Sequence, residues 1–222
     1  MPHLSVSFVS LDVPTFPDQA QEVGTGAHLW DGSRLLAAYF EKHPSKISGK
    51  TVIELGSGLG VGGMALGVLG ARRVVLSDTA EVVPLTKKVL GLNATRIKDA
   101  NSSLESIDVV RWIWAEEDVG SLLASMGLSR EQVEVVVAAD VIFNVKFLEA
   151  LVTDIQEAAT PTTTVYVAYE RRDDFLEKEF LKHMKRIFAV VKVVAARKIT
   201  GVPSPFENPE LLNLFIMSRK RL

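Results

Sequence analysis

The chain has 222 residues and no cysteine. That absence excludes disulfides, thiolate metal sites, iron–sulfur clusters and cysteine nucleophiles together. Excess charge is also lacking: 25 Lys and Arg stand against 27 Asp and Glu, a formal net charge of −2. Nothing in that balance draws the chain toward a phosphate backbone, and the one compact basic run, Arg219 to Arg221, reads as a solvated tail. No apolar run approaches the ~20 residues a membrane span needs, and Met1 to Asp12 lacks the basic region and apolar core of a secretory leader. The four histidines, His3, His28, His43 and His183, share no ligand spacing, so no metal site is expected. Internal repeats, low-complexity tracts and interdomain linkers are missing too. The expectation is a soluble monomer of the cytoplasm, with the nucleus as the alternative address, and with neither a nucleic-acid nor a membrane partner.

What is present is apolar: 47% of residues are hydrophobic, enough for a three-layer core at this length but short for two such domains. One domain is expected over 1–222, with an N-terminal extension (1–49) whose helix packs on a Rossmann-like core (50–222). From Lys50 onward, strand-like runs alternate with segments of helical period, which predicts parallel strands joined by crossover helices. The strand runs are Thr51–Leu55, Arg73–Ser77, Ile107–Trp112, Val133–Ala139 and Thr163–Tyr169. Helical patterns fill Gly60–Leu69, Val82–Leu92, Asn144–Ala158 and Arg172–Phe188, the last with Phe175, Leu176, Phe180, Leu181, Met184 and Ile187 on one face. Two further strand-like runs, Val190–Lys198 and Leu212–Ser218, have no helical pattern between them and suit an antiparallel pair at one edge of the sheet. Before the core, Asp31 can cap a helix reaching Phe40, and Pro14 to Gly26 reads as an extended entry segment. The fold class is therefore α/β, a mostly parallel sheet with helices on both faces.

The most informative stretch is Glu54-Leu55-Gly56-Ser57-Gly58-Leu59-Gly60, a buried strand running straight into a glycine-rich turn. Missing Cβ atoms at Gly56, Gly58 and Gly60 let backbone approach a nucleoside closely. Gly58, Gly60 and Gly63 also satisfy the dinucleotide spacing, but that fingerprint would begin three residues past the strand. Glu54, two residues before the first glycine, fits a cationic ligand better than a pyrophosphate, and S-adenosylmethionine carries both a sulfonium and an ammonium. Asp78 closes the second strand, where a carboxylate can accept from both ribose hydroxyls; NAD would use it equally. A purely structural glycine turn is the third reading.

Further along, an apolar strand ends in Ala139-Asp140, and ligands of open α/β sheets bind beyond the carboxyl ends of strands. Asp140 is the first candidate for catalysis; its alternative role is as the N-cap of the helix after it, which Asn144 could also supply. Of Trp112 and Trp114, one is expected in the core and the other, Trp114, against adenine. Trp30 reads on composition as an anchor of the N-terminal segment, Tyr169 as core and Arg171 as a rim residue.

Several of these segments resemble the seven-stranded protein-lysine methyltransferases of the methyltransferase-16 group, which includes enzymes acting on chaperones and translation elongation factors. They are Gly26-Ala27-His28-Leu29-Trp30-Asp31, Val52 to Gly60, Leu76-Ser77-Asp78, Trp114-Ala115-Glu116-Glu117, Ala138 to Phe143, and Tyr169-Glu170-Arg171. The resemblance implies cofactor contacts at Trp30, Gly56, Gly58, Asp78, Trp114 and Ala139, and places Asp140 in the group's Asp-x-x-Tyr motif. Phe143 stands where that motif has tyrosine, so a hydroxyl is missing while an aromatic face remains for a cationic side chain. With the loop residues included, the expected cofactor set is Trp30, Glu54, Gly56, Ser57, Gly58, Gly60, Asp78, Trp114 and Ala139, and the catalytic pair is Asp140 and Phe143. The implied activity is S-adenosylmethionine-dependent methylation of a lysine amine on a protein. Methylation of a small amine, or a catalytically silent binding module, are the rival readings.

Overall fold

The structure, a computed structural model, describes residues 3–6, 9–19, 23–201 and 205–221. A short hairpin comes first, β1 (His3–Val6) against β2 (Val9–Asp12). It was not expected from the sequence. Asn93 fastens it to the body: the Asp12 amide donates to Asn93 Oδ1, and Asn93 Nδ2 donates back to the Asp12 carbonyl, both at 2.8 Å. The entry segment that follows is extended only in part, since a 3-10 turn occupies Gly24–Ala27, and residues 20–22 of it lie outside the described residues. Helix α1 (Asp31–Lys42) then begins with Trp30 at its N-cap position. Asp31 does not cap it; that carboxylate accepts from Arg34 at 2.8 Å instead.

The core alternates as its sequence does. Strand β3 (Thr51–Leu55) is buried at all five positions and leads into α2 (Val61–Val68), β4 (Arg73–Asp78), α3 (Val83–Ala100) and β5 (Ser106–Arg111). A short helix α4 (Val119–Ser125) precedes β6 (Val135–Ala139), and α5 (Val145–Ala158), β7 (Thr164–Glu170) and α6 (Asp174–Ile187) follow. The chain ends with β8 (Phe188–Ala195), a single helical turn α7 (Ala196–Thr200) and β9 (Leu212–Lys220). That turn takes the last three residues of the run Val190–Lys198, so the strand ends at Ala195, and it starts two residues earlier than expected, at Phe188.

Seven strands form one sheet in the order β5-β4-β3-β6-β7-β9-β8. Strands β3 to β7 are parallel, and β9 runs antiparallel to both β7 and β8. The antiparallel pair thus stands at the edge expected for it, with the reversed strand one place in from the end.

Strand periodicity of two decides which side each residue serves. Val52, Val74, Leu76, Val135 and Val137 face one way, into a core shared with α1, α2 and α3. Ile53, Leu55, Val75, Val136 and Ala138 face the other, into a core with α4, α5 and α6. Both faces being covered explains why these strands are apolar throughout rather than alternating. The chain winds outward from β3 through β4 to β5, then returns to place β6 on the other side of β3. Crossovers therefore diverge between β3 and β6, and a crevice opens at the carboxyl ends of those two strands.

Candidate functional site

That crevice is a cavity of about 450 Å³, within the range of small-molecule and cofactor sites. Its floor is the turn after β3. Gly56 sits at φ +64°, and a Cβ there would lie 2.9 Å from both Trp114 Cζ2 and Val141 Cγ1, so only glycine fits. The turn holds its own shape: the Ser57 amide donates to the Ser77 carbonyl at 2.8 Å, and the Gly60 amide to the Ser57 carbonyl at 2.7 Å. Thr86 Oγ1 donates to the Gly58 carbonyl at 2.6 Å from α3. Ser57 lines the cavity, and its hydroxyl is buried with no partner among the described residues. At a cavity wall, such an orphan is available to a ligand or to water.

Asp78 stands on the cavity wall at the end of β4. It accepts from the amides of Gly58 at 2.7 Å and Thr79 at 2.8 Å. Burial raises its carboxyl above the ordinary range, and those two amides oppose the rise. Lone pairs on both oxygens still point for use by hydroxyl donors, since each has accepted one bond. Trp114 lies over Gly56, half-buried, whereas Trp112 is 1% exposed and serves the core. Of the two, Trp112 is the core residue expected, and both border the cavity.

At the end of β6, Asp140 has φ +56° and its carboxylate is gripped from two sides. Gly32 N donates to Oδ2 at 2.7 Å and Glu170 N to Oδ1 at 2.9 Å. Burial raises this carboxyl, while the Glu170 and Gly32 amides and the Arg172 charge lower it. Asp140 is not the cap of the following helix; Asn144 is, accepting from Lys146 N at 3.0 Å. Ala139 and Phe143 line the cavity beside it. Phe143 is 39% exposed and packs at a tilt against Phe147, ring centroids 5.9 Å apart. Trp30 also lines the cavity, its indole N–H donating to the Thr25 carbonyl at 3.0 Å.

Seven of the nine expected cofactor residues, with Asp140 and Phe143, therefore share one cavity. Two do not. Glu54 is fully buried off the wall, with Oε2 accepting from the Gly63 amide at 2.8 Å beneath the start of α2 and Oε1 without a partner. Its carboxyl is pushed up to about 8, first by burial and then by the Asp78 charge, against the Gly63 bond. Its contact is with the α2 backbone, away from the cavity lining where the sequence placed it. Gly60 is also off the wall: a Cβ there would meet Thr86, Leu76 and Met64 at 2.7 to 3.0 Å, so it serves the packing of α2 on α3 and β4.

Two supporting residues escaped the sequence reading. Asp154 of α5, 1% exposed, accepts from the Ala115 amide at 2.8 Å and pins the loop that carries Trp114. Burial lifts its carboxyl to about 6. The available signal was an acid on the inward side of an apolar helix. Arg172, whose guanidinium lies 4.4 Å from the Trp30 ring centre, is the other. Among the described residues no cluster of ligands for a metal ion occurs.

A sheet of this order with a glycine turn at its switch point, an acid after the second strand and another after the fourth defines a Rossmann-like methyltransferase fold. The TehB-like SAM-dependent methyltransferase of Corynebacterium glutamicum shares that fold at a TM-score of 0.55, with 13% identity over 90% of this chain and 92% of that one. The chain belongs to the lysine methyltransferase family, whose model matches residues 13–187. It is 27% identical over 122 residues to the protein N-terminal and lysine N-methyltransferase EFM7 of Gibberella zeae, covering 52% of this chain and 46% of that protein. It is 29% identical to the protein-lysine N-methyltransferase EEF2KMT of Mus musculus over 211 residues, 88% of this chain and 59% of that one. The chain thus spans about half the length of these relatives.

Proposed function

We propose that the chain transfers a methyl group from S-adenosylmethionine to a lysine side-chain amine of a protein. The observation that carries the reading is the convergence of the Gly56–Gly58 turn, Asp78, Trp114 and Asp140 on one cavity at the switch point. The residues fit the group. Asp78 has acceptor capacity for the ribose, Trp114 offers a ring for adenine, the orphan hydroxyl of Ser57 awaits a polar partner, and Trp30 and Ala139 bound the remaining walls. Bound there, the cofactor supplies an electrophilic methyl on a sulfonium.

The chain's own residues supply alignment. Asp140 is held rigidly by two backbone amides, so its remaining lone pairs have fixed directions for the N–H groups of an incoming amine. A lysine amine has a reference pKa of about 10.4 and must enter neutral to react. Desolvation against Phe143 favours the neutral form, whereas the Asp140 charge favours the ammonium. Asp140 is therefore an orienting group more than a base. Family resemblance offers chaperones and translation elongation factors as the targets to try first, in the cytoplasm or nucleus.

The test is incubation of the purified protein with radiolabelled S-adenosylmethionine and cell lysate. The reading expects a labelled protein band whose label maps to lysine. Label in small molecules alone would replace it with small-amine methylation. No label in either fraction, with cofactor affinity intact by calorimetry, would leave a silent binding module.

A further inference from the structure

The cavity wall is unequal in charge. Three acids line it, Asp78, Glu116 and Asp140, and among the described residues Arg172 is its one lysine or arginine. S-adenosylmethionine has an amino-acid tail ending in both an ammonium and a carboxylate. Acids abound for the first, so the second needs a donor.

Backbone amides are the usual alternative, and five of those nearest the glycine turn and the start of α1 are already engaged. Those of Ser57, Gly58 and Gly60 donate to Ser77, Asp78 and Ser57 respectively. At the start of α1, Gly32 donates to Asp140 and Ser33 to the Trp30 carbonyl. Neither the glycine turn nor that helix end has these amides free for an anion.

Arg172 is positioned but not consumed. Stacking on Trp30 at 4.4 Å orients the guanidinium plane. Its Nη2 makes long ion pairs, 3.8 Å from both Asp140 Oδ1 and Glu170 Oε2, beyond hydrogen-bond reach. Asp140 takes its hydrogen bonds from Gly32 and Glu170, and Arg172 adds only its charge. A planar fork of five donors, one-third exposed at a cavity wall and making no side-chain hydrogen bond among the described residues, matches a carboxylate bidentately.

We propose that Arg172 is the anchor for the carboxylate of the cofactor's amino-acid tail, with Trp30 as the platform that holds the guanidinium in place. The inference rests on the methyltransferase reading of the cavity. It makes Trp30 a contact that acts on the cofactor partly through Arg172, and it fixes which end of the cavity the tail occupies.

Calorimetry with two ligands tests it: S-adenosylhomocysteine, which keeps the tail, and 5′-methylthioadenosine, which lacks it. Arg172→Met preserves a chain of similar length against Trp30. The variant is expected to bind S-adenosylhomocysteine at least about tenfold more weakly while its affinity for 5′-methylthioadenosine is unchanged, and Arg172→Lys is expected to recover part of the loss. Equal losses on both ligands, or no loss on either, overturns the assignment to Arg172 while leaving the cofactor site standing. If the wild-type protein binds neither ligand, the methyltransferase reading falls and this one with it.

Discussion

Gly32 and Asp140, 108 positions apart in sequence, meet so closely that no side chain fits at Gly32 while the carboxylate stays in place. The Gly32 amide donates to Asp140 Oδ2 at 2.7 Å, and a Cβ on Gly32 would stand 2.4 Å from that same oxygen. Because the carboxylate is also held by Glu170, it has nowhere to retreat. Gly32→Ala should therefore displace Asp140 from the direction in which it meets an amine. The expected outcome is a fall in kcat of at least about tenfold, since small misplacements of an aligning group are costly, with affinity for S-adenosylhomocysteine largely kept. Steady-state kinetics beside calorimetry measures both, and an unchanged kcat would detach Asp140's fixed position from the reaction.

Asp140→Asn asks a different question of the same carboxylate. The amide can still accept one backbone N–H but loses the charge and one acceptor direction. Methyl transfer should drop by about 10²- to 10⁴-fold, the range for a positioned polar group in a transition state, while cofactor affinity persists. Full activity in this variant would remove Asp140 from the mechanism.

The floor of the cavity predicts a contrast between two glycines. Gly56→Ala places a methyl against Trp114 and Val141 at a positive φ, whereas Gly91, exposed within α3, has open space around its missing Cβ. The first substitution should destabilise by about 1–3 kcal/mol and abolish cofactor binding. Gly91→Ala should stabilise by about 0.5–1 kcal/mol and leave binding alone. Thermal melts with and without S-adenosylhomocysteine read both, and a ligand-induced rise in Tm for Gly56→Ala would contradict the placement of the turn.

How much of this was legible in the sequence follows from how local each feature is. Strand β3 was readable to its last residue because four apolar or β-branched positions around Glu54 end at a glycine that the turn requires. Helix α3 was expected to stop near Leu92 and runs on to Ala100, because Gly91 and Asn93 resemble an ending; Asn93 instead faces inward and ties down the N-terminal hairpin. The turn of α7 was hidden inside a run of valines and alanines that suits a strand equally well. Glu54 was placed correctly at the end of β3 but given the wrong neighbour. Gly62 and Gly63, an expensive pair inside a helix, were the sign that something must pass close beneath α2, and that something is the Glu54 carboxylate. The grip on Asp140 depends on a contact 108 residues away, which no spacing rule reaches.

Glu54 carries a pH dependence whose sign is fixed by its burial. Its carboxyl is raised from the ordinary 4.5 to about 8 in the folded chain. Between those values the folded state holds a proton that the unfolded state has released, so stability falls as pH rises through this window. The contribution is whole below about 4.5 and gone above about 8. Glu54→Gln removes the titration while keeping an acceptor for the Gly63 amide. Its Tm should therefore decline less than that of the wild type between pH 5 and 8, as scanning calorimetry would show. Parallel curves would mean that Glu54 is ionised beneath α2 throughout.

Phe143 tests what the amine meets outside the cofactor. It lines the cavity, is 39% exposed, and is followed on α5 by the exposed Val145 and Phe147. An apolar, aromatic mouth desolvates an incoming lysine and offers a π-face to whatever fraction remains charged, an interaction of about 0.5–2 kcal/mol. Phe143→Ala should then raise the KM for a protein or peptide substrate by about 2- to 30-fold with S-adenosylhomocysteine affinity unchanged. Phe143→Tyr keeps the ring and should keep the KM. A variant lacking the ring that retained wild-type KM would show that the substrate enters elsewhere, past Trp30 and Arg172 instead of along α5.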